Sequence, residues 1–178
     1  MLQTDRLTLI PCTREHLTAF LRDPAELAGL LQVTIPPDFP VFPGGFAYWA
    51  DRLSAEPIHA SWNEWLFVDR AQRIVVGDGG FYGAPSAEGE VEIGYAILPA
   101  YQGQGLATEA AAGLVAWAFR DPAVTAVRAT TLATGTESIR VLTKLGMEAA
   151  GTVEDPDDGP LIHWRLPRPS TPPSGRRS

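Results

Sequence analysis

The chain has 178 residues and a mass of 19.2 kDa, enough for one domain and too little for two of ordinary size. It is 45% hydrophobic and 20% charged, so a core can form and a globally disordered chain is excluded. Fourteen Lys and Arg against twenty-one Asp and Glu leave a net charge of -7, which speaks against a nucleic-acid or anionic-membrane partner and favours cationic ligands.

Residues 6–11 (RLTLIP) alternate apolar and polar and predict a first strand with one buried face. Thr13 caps a helix running to Arg22, with Leu17, Phe20 and Leu21 on one side. Asp23-Pro24-Ala25-Glu26 is a second helix start, with a capping aspartate, proline at the first helical position and glutamate three after the cap. Pro36, Pro37, Pro40 and Pro43 make 33–44 a loop, and the aromatic-rich stretch 46–53 predicts another short helix. Strands are expected at 65–69, 74–81 and 91–98, separated by turns at 70–73 and 83–90, which makes an antiparallel meander the economical reading. A helix over 106–119 carries the apolar stripe Leu106, Ala110, Leu114, Val115 and Ala118. Residues 124–132 form a β-branched strand, Thr134-Gly135-Thr136-Glu137 reads as a capping box opening a helix that ends at Gly146, and 147–153 with 161–166 close a final hairpin. An antiparallel front followed by a strand–helix–strand crossover implies an α+β fold. The domain is expected to span 1–166, with 167–178 a disordered Pro/Ser-rich tail.

One cysteine, Cys12, excludes an intramolecular disulfide, and the three histidines, His16, His59 and His163, have no ligand spacing, so no metal is expected. No apolar run approaches a membrane span, and the N-terminus lacks the layout of a signal peptide. A soluble, cytoplasmic protein with no membrane partner is the expectation.

The informative stretch is 98–108, LPAYQGQGLAT, where a strand runs into a turn with two glycines that opens directly into a helix. That geometry leaves several backbone N–H groups unpaired and aimed at one point, where the helix dipole also favours negative charge. Gly103, Gly105 and Ala107 keep side chains out of the way, so an anion, and a diphosphate above all, can approach the amides. The plainer alternative is that the glycines only make a tight turn. A Walker A loop would need a Lys-Ser/Thr pair where Leu106-Ala107 stands. A dinucleotide fingerprint would need a third small residue at Thr108 and a parallel unit around it.

This segment resembles the GNAT superfamily of acyl-CoA-dependent N-acyltransferases, whose signature Gln/Arg-x-x-Gly-x-Gly/Ala is matched by Gln102, Gly105 and Ala107. TDRLTLIP at 4–11, EIGYAILPAYQGQGLATEA at 92–110 and SIRVLTKLGM at 138–147 are similar to the branch that acetylates ribosomal-protein N-termini. The resemblance implies a mixed antiparallel/parallel central sheet with helices on both faces, and acetyl-CoA as cosubstrate. It implies that the amides of Gln102, Gly103, Gln104, Gly105, Leu106, Ala107 and Thr108 bind the CoA diphosphate. The cofactor arm would add to the strand at Ala96, Ile97 and Leu98, in a slot where that strand splays from its parallel neighbour at 124–132.

Acetyl transfer from a thioester to an amine needs a neutral amine, an oxyanion stabiliser and a proton for the leaving thiolate. Glu92 matches a glutamate that some members use as base, often through water; alternatively it is a carboxylate at a solvated strand edge. Alternation puts Glu92, Gly94 and Ala96 on one sheet face and Val91, Ile93, Tyr95 and Ile97 on the other. Ser138 matches a serine that would serve the leaving thiolate, its alternative role being a helix-start serine bonded to local backbone. Two departures stand out: Leu142 where many members carry a tyrosine, and Gly135 where relatives usually carry an asparagine contacting the cofactor arm. Trp62, Trp65, Phe81, Tyr82, Tyr95, His163 and Trp164 are candidates for either pocket lining or core, and the acidic run 154–158 for an acceptor lure or a solvated turn. The expected activity is acetyl transfer to a primary amine, on a protein N-terminus or a small molecule, by direct attack in a ternary complex of a monomer or homodimer. The rival is a CoA-binding sensor that has lost catalysis.

Overall fold

The computed structural model describes residues 1–42, 44–55 and 61–169. The chain runs β1 (Leu2–Gln3), β2 (Leu7–Pro11), α1 (Arg14–Arg22), α2 (Pro24–Leu31), α3 (Gly44–Ala55), β3 (Glu64–Asp69), β4 (Ile74–Phe81), β5 (Glu90–Ile97), α4 (Leu106–Ala118), β6 (Ala126–Leu132), α5 (Thr136–Lys144), β7 (Glu148–Asp155) and β8 (Gly159–Pro167). The strands make one eight-stranded sheet in the order β1-β2-β3-β4-β5-β6-β8-β7. Every neighbouring pair is antiparallel except β5 and β6, which are joined by the α4 crossover.

Local chemistry sets the helix starts. Thr13 Oγ1 accepts the His16 N–H at 3.2 Å, and His16 Nδ1 accepts the Thr13 N–H in return at 3.3 Å. Asp23 caps α2 by accepting the Ala25 N–H at 2.9 Å, while Glu26 turns outward to pair with Arg22 at 2.7 Å. The capping box expected at Thr134 is not made. The Gly135 N–H is taken by the Leu132 carbonyl at 3.0 Å, so the chain is still turning at 134 and Gly135 becomes the cap of α5 with no side-chain bond. The other end of the domain also differs from expectation: β8 reaches Pro167, and the Arg168 guanidinium donates to the carbonyls of Val124, Phe119 and Asp121. The expected tail therefore begins inside ordered structure, and its remainder from 170 lies outside the described residues, as does His59.

Strand alternation divides the core between the two faces of the sheet. Trp65, Phe67, Ile93 and Ile97 pack with Leu106, Leu114 and Leu142 from α4 and α5. Leu66, Val68, Val75 and Leu98 pack with Leu17, Phe20, Leu27, Phe46 and Trp49 from the three N-terminal helices. Burial of this apolar surface on both sides is the main stabilising term, at about 25 cal/mol per Å². Helices on both faces of a mixed sheet are the arrangement that the resemblance implied.

Candidate active site

β5 and β6 pair over only three residues, Glu90↔Ala126, Val91↔Val127 and Glu92↔Arg128, and then part. Beyond Glu92, β5 keeps its partner on β4 alone, out to Ile97 opposite Gly77. The Leu98 N–H donates to Val76 O and the Glu92 carbonyl accepts from Tyr82 N–H, so main-chain groups of the even-numbered residues face β4. By alternation those of Ile93, Tyr95 and Ile97 face the gap that β6 has left. This narrows the sequence expectation: of Ala96, Ile97 and Leu98, only Ile97 turns its main chain into the slot, and its carbonyl already accepts the Gln102 side-chain amide at 2.8 Å. Ala96 walls the adjoining cavity, and Leu98 is fully buried core.

A 3-10 turn at Pro99–Tyr101 carries the chain from β5 to the glycine turn. Gly103 and Gly105 have φ of 73° and 79°, in the left-handed region where only glycine sits without strain. Gly105 caps α4, no side chain caps that helix, and its first main-chain bond runs from Glu109 N–H to Gly105 O. Among the described residues no protein acceptor takes the amides of 103–108, so Gly103, Gln104, Gly105, Leu106, Ala107 and Thr108 present free donors at a positive helix end. Gln102 is the exception in this group, because its N–H is spent on Pro99 O.

Arg6 belongs to this region, although nothing in its own sequence neighbourhood points there. Its Nε donates to Glu109 Oε2 at 2.7 Å and its Nη1 to Gln104 O at 2.9 Å, so a guanidinium braces the turn from the far end of the chain. Burial pushes the Glu109 carboxyl up, but bonds from Thr4 and Arg6 outweigh it and leave it below the ordinary range.

Where β5 and β6 separate, a cavity of about 610 Å³ opens between them and runs to α3 and α5. Ser138 lines it from α5, beside Leu142 and the Gly135 cap, and the Ser138 carbonyl accepts from Tyr95 Oη at 3.4 Å. Glu92 is not in the lining. Its Oε1 accepts from Thr130 Oγ1 at 2.8 Å, and Thr130 itself faces the cavity. The Thr130 oxygen lies 3.1 Å from His163 Nδ1 and is left to accept from that nitrogen, since its own hydrogen goes to the carboxylate. Of the other aromatic candidates, Phe81, Tyr82 and Tyr95 line the cavity. Trp62 and Trp65 are core, packed against Trp117 at 4.6 and 5.1 Å between ring centroids, and Trp164 is buried with its indole N–H on Thr131 Oγ1. The acidic run makes the β7–β8 turn, where Asp155 Oδ1 accepts the N–H groups of Asp157 and Asp158, both at 2.9 Å.

The feature that sequence reasoning missed is on the cavity wall formed by β3 and β4. Glu64 stands opposite Gly80 and Asp78 opposite Leu66, which makes the two carboxylates diagonal neighbours on one face. Both side chains are at least nine-tenths buried, and Glu64 Oε1 and Asp78 Oδ1 have no hydrogen-bond partner among the described residues. Burial pushes Asp78 up to about 7. Burial and then Asp78 push Glu64 well above the carboxylate range, against a partial offset from the Gly79 and Trp65 amides. A signal was present at Asp78, an acid inside the apolar strand IVVGDGGF. Glu64 lay outside the strand expected at 65–69, which starts one residue earlier.

Comparison with known proteins agrees with this geometry. Residues 6–148 match the acetyltransferase (GNAT) domain family. An uncharacterised N-acetyltransferase of Bacillus subtilis, YjdG, is 32% identical over 84 residues, which are 47% of this chain and 50% of that protein. The match thus spans half the length of that curated relative. Among solved structures, a GNAT-family acetyltransferase from Bacillus anthracis superposes with a TM-score of 0.64 at 18% identity, over 93% of this chain and 97% of the other. A ribosomal-protein-S5-alanine acetyltransferase from Vibrio fischeri gives 0.65 at 17% identity, over 93% and 94%. At such identities the structures speak for the fold, and the family match over most of the chain carries the assignment. With its parted parallel strands and uncapped glycine turn, the chain belongs to the GNAT acetyltransferase family.

Proposed function

We propose that the protein transfers an acetyl group from acetyl-CoA to a primary amine by direct attack within a ternary complex. The observation that carries this reading is the coincidence of two features on one strand: β5 loses its parallel partner after Glu92, and then ends in a turn whose amides at 103–108 are free. Those amides, braced by Arg6, suit a diphosphate, and the Ile97 main chain suits an amide-bearing arm laid along the open edge. When bound, acetyl-CoA supplies the acyl group as a thioester.

The chain's own contribution is placement in a site sheltered from water, plus proton handling. Ser138 faces the cavity and is assigned to the departing thiolate. Glu92 acts through Thr130, as a positioning residue that fixes the hydroxyl on the cavity wall. Cys12 is fully buried, and burial, then Glu64 and Asp78, push its thiol well up, which fits direct attack rather than a covalent intermediate.

The acceptor is a primary amine on a small molecule or a protein N-terminus. The CoA-sensor alternative draws on the buried Leu142 in place of a tyrosine and on Gly135. Calorimetric titration with acetyl-CoA followed by an amine screen for thiol release tests both. Amine-dependent release is expected from the full chain and from Cys12→Ala, with about a tenfold lower kcat in Ser138→Ala. Tight binding with no release for any amine leaves only the sensor.

A further inference from the structure

We propose that the buried pair Glu64 and Asp78 is the ammonium site of the acceptor, selecting a primary amine carried on an apolar or aromatic body and taking the proton that the amine must lose. This rests on the acetyl-transfer reading and deepens it. The two carboxylates share one face of β3 and β4, and each keeps an oxygen with no partner among the described residues. Buried carboxylates left in that condition are costly, and a single cation with several N–H donors satisfies both. They line the same cavity as Ala96, Thr130 and Ser138, so a nitrogen held there stands in the chamber where β5 and β6 part. Asp78 is opposite Ala96 across the β4–β5 ladder, which puts the acid one strand away from the slot.

The rest of the wall specifies what carries the amine. Phe42, Tyr48 and Tyr82 are 66%, 49% and 65% exposed, and all three face this cavity. Exposed aromatic rings leading to a buried anionic floor favour a cation with an apolar body over a strongly hydrated or anionic acceptor. The proton step balances within the site. An N–H proton of R–NH3+ passes to a carboxylate oxygen, leaving R–NH2 with its lone pair and a neutral carboxyl. The nitrogen then forms the C–N bond as the C–S bond breaks, and its next proton ends on the thiolate. The ionisable groups facing the pair are Cys12 after β2, Tyr82 after β4 and, across the cavity on α3, Tyr48; Glu92 on β5 lies near Tyr82, and Arg52 follows Tyr48 on α3. The Arg52 guanidinium is turned to the Tyr48 hydroxyl and the Trp49 ring.

The probes are phenethylamine and its neutral counterpart phenethyl alcohol, titrated into the full chain saturated with CoA. The wild type is expected to bind the amine at least about tenfold more tightly than the alcohol, and Glu64→Gln/Asp78→Asn to bind both alike. With acetyl-CoA, each single variant should lose about 30-fold or more in kcat/KM for the amine while the affinity for acetyl-CoA stays within about twofold. Equal binding of amine and alcohol by the wild type, no binding of either at about 10 mM, or single variants within about threefold of wild-type kcat/KM each overturn the proposal. The wild-type comparison needs no variant to fold. Should the amine preference and its loss in the double variant appear without any thiol release, the ammonium site stands and acetyl transfer falls. Thiol release untouched by the substitutions does the reverse.

Discussion

The glycine turn before α4 and the acidic floor on β3 and β4 are two anion-related features of opposite construction. At the turn, N–H donors free among the described residues would suit an anion, and residues adjacent in sequence provide almost all of it; the brace from Arg6 is distant. At the floor, oxygens without a partner among the described residues would suit a cation, and the two residues come from different strands aligned by register. The turn is exposed and its donors can be solvated, so it costs little when nothing is bound. The floor is buried and its acceptors are not solvated, so it holds strain that a cation or a proton relieves. One end of the cleft is a local motif, while the other is a consequence of how the sheet is assembled.

Breaking the turn should have the largest effect. Gly105→Glu forces a side chain into a backbone with φ of 79° and sets a carboxylate among the free amides proposed to hold the diphosphate. Acetyl-CoA affinity is expected to fall by about 100-fold or more by calorimetry, and an unchanged affinity refutes the turn as the diphosphate site. Removing only the brace sharpens the same point. Arg6→Gln keeps the turn's own amides but loses the bonds to Glu109 and Gln104, so a decrease in affinity of about threefold to tenfold is expected. A loss as large as that of Gly105→Glu would mean that the turn is not self-sufficient.

On the floor the effect is on stability and runs with pH. Asp78 titrates near 7 in the folded protein against 3.8 for an ordinary aspartate, so between those values the folded state holds a proton that the unfolded chain has released. Wild-type stability therefore declines as pH rises from about 4 to about 7 and remains lower above that. Asp78→Asn removes this group, so its melting temperature should exceed the wild type's by a few degrees at about pH 8, with the lead shrinking as pH falls and gone by about pH 4. The same lead at both values would mean that the carboxyl is neutral throughout. The smallest effect is expected at Glu92. Because it reaches the cavity only through Thr130, Glu92→Gln should lower kcat by less than about fivefold, and a much larger loss with an altered pH profile would restore it as a base.

The helix caps at Thr13 and Asp23, the meander, the α4 stripe and the turn at 98–108 were legible because each depends on residues within a few positions of one another. The box expected at Thr134 failed because the Leu132 carbonyl captured the Gly135 N–H, and the composition of four residues does not reveal that competition. Glu92 and Ser138 were found through the resemblance, but which of them touches the cavity was not visible: a strand's alternation gives the face of a residue and not what covers it. Ala96 and Ile97 were expected to serve alike, and only the pairing of β5 with β4 separated them.

By itself the sequence determined the periodic elements, the unpaired amides of the turn and the acidic balance, since propensity, capping and dipole act along the chain. The tertiary structure alone decided where β5 and β6 part, that Arg6 braces a turn nearly a hundred residues away, and that Glu64 and Asp78 lie side by side with their side chains buried. Desolvation and charge proximity depend on distance in space, and strand register sets that distance between residues the chain keeps apart.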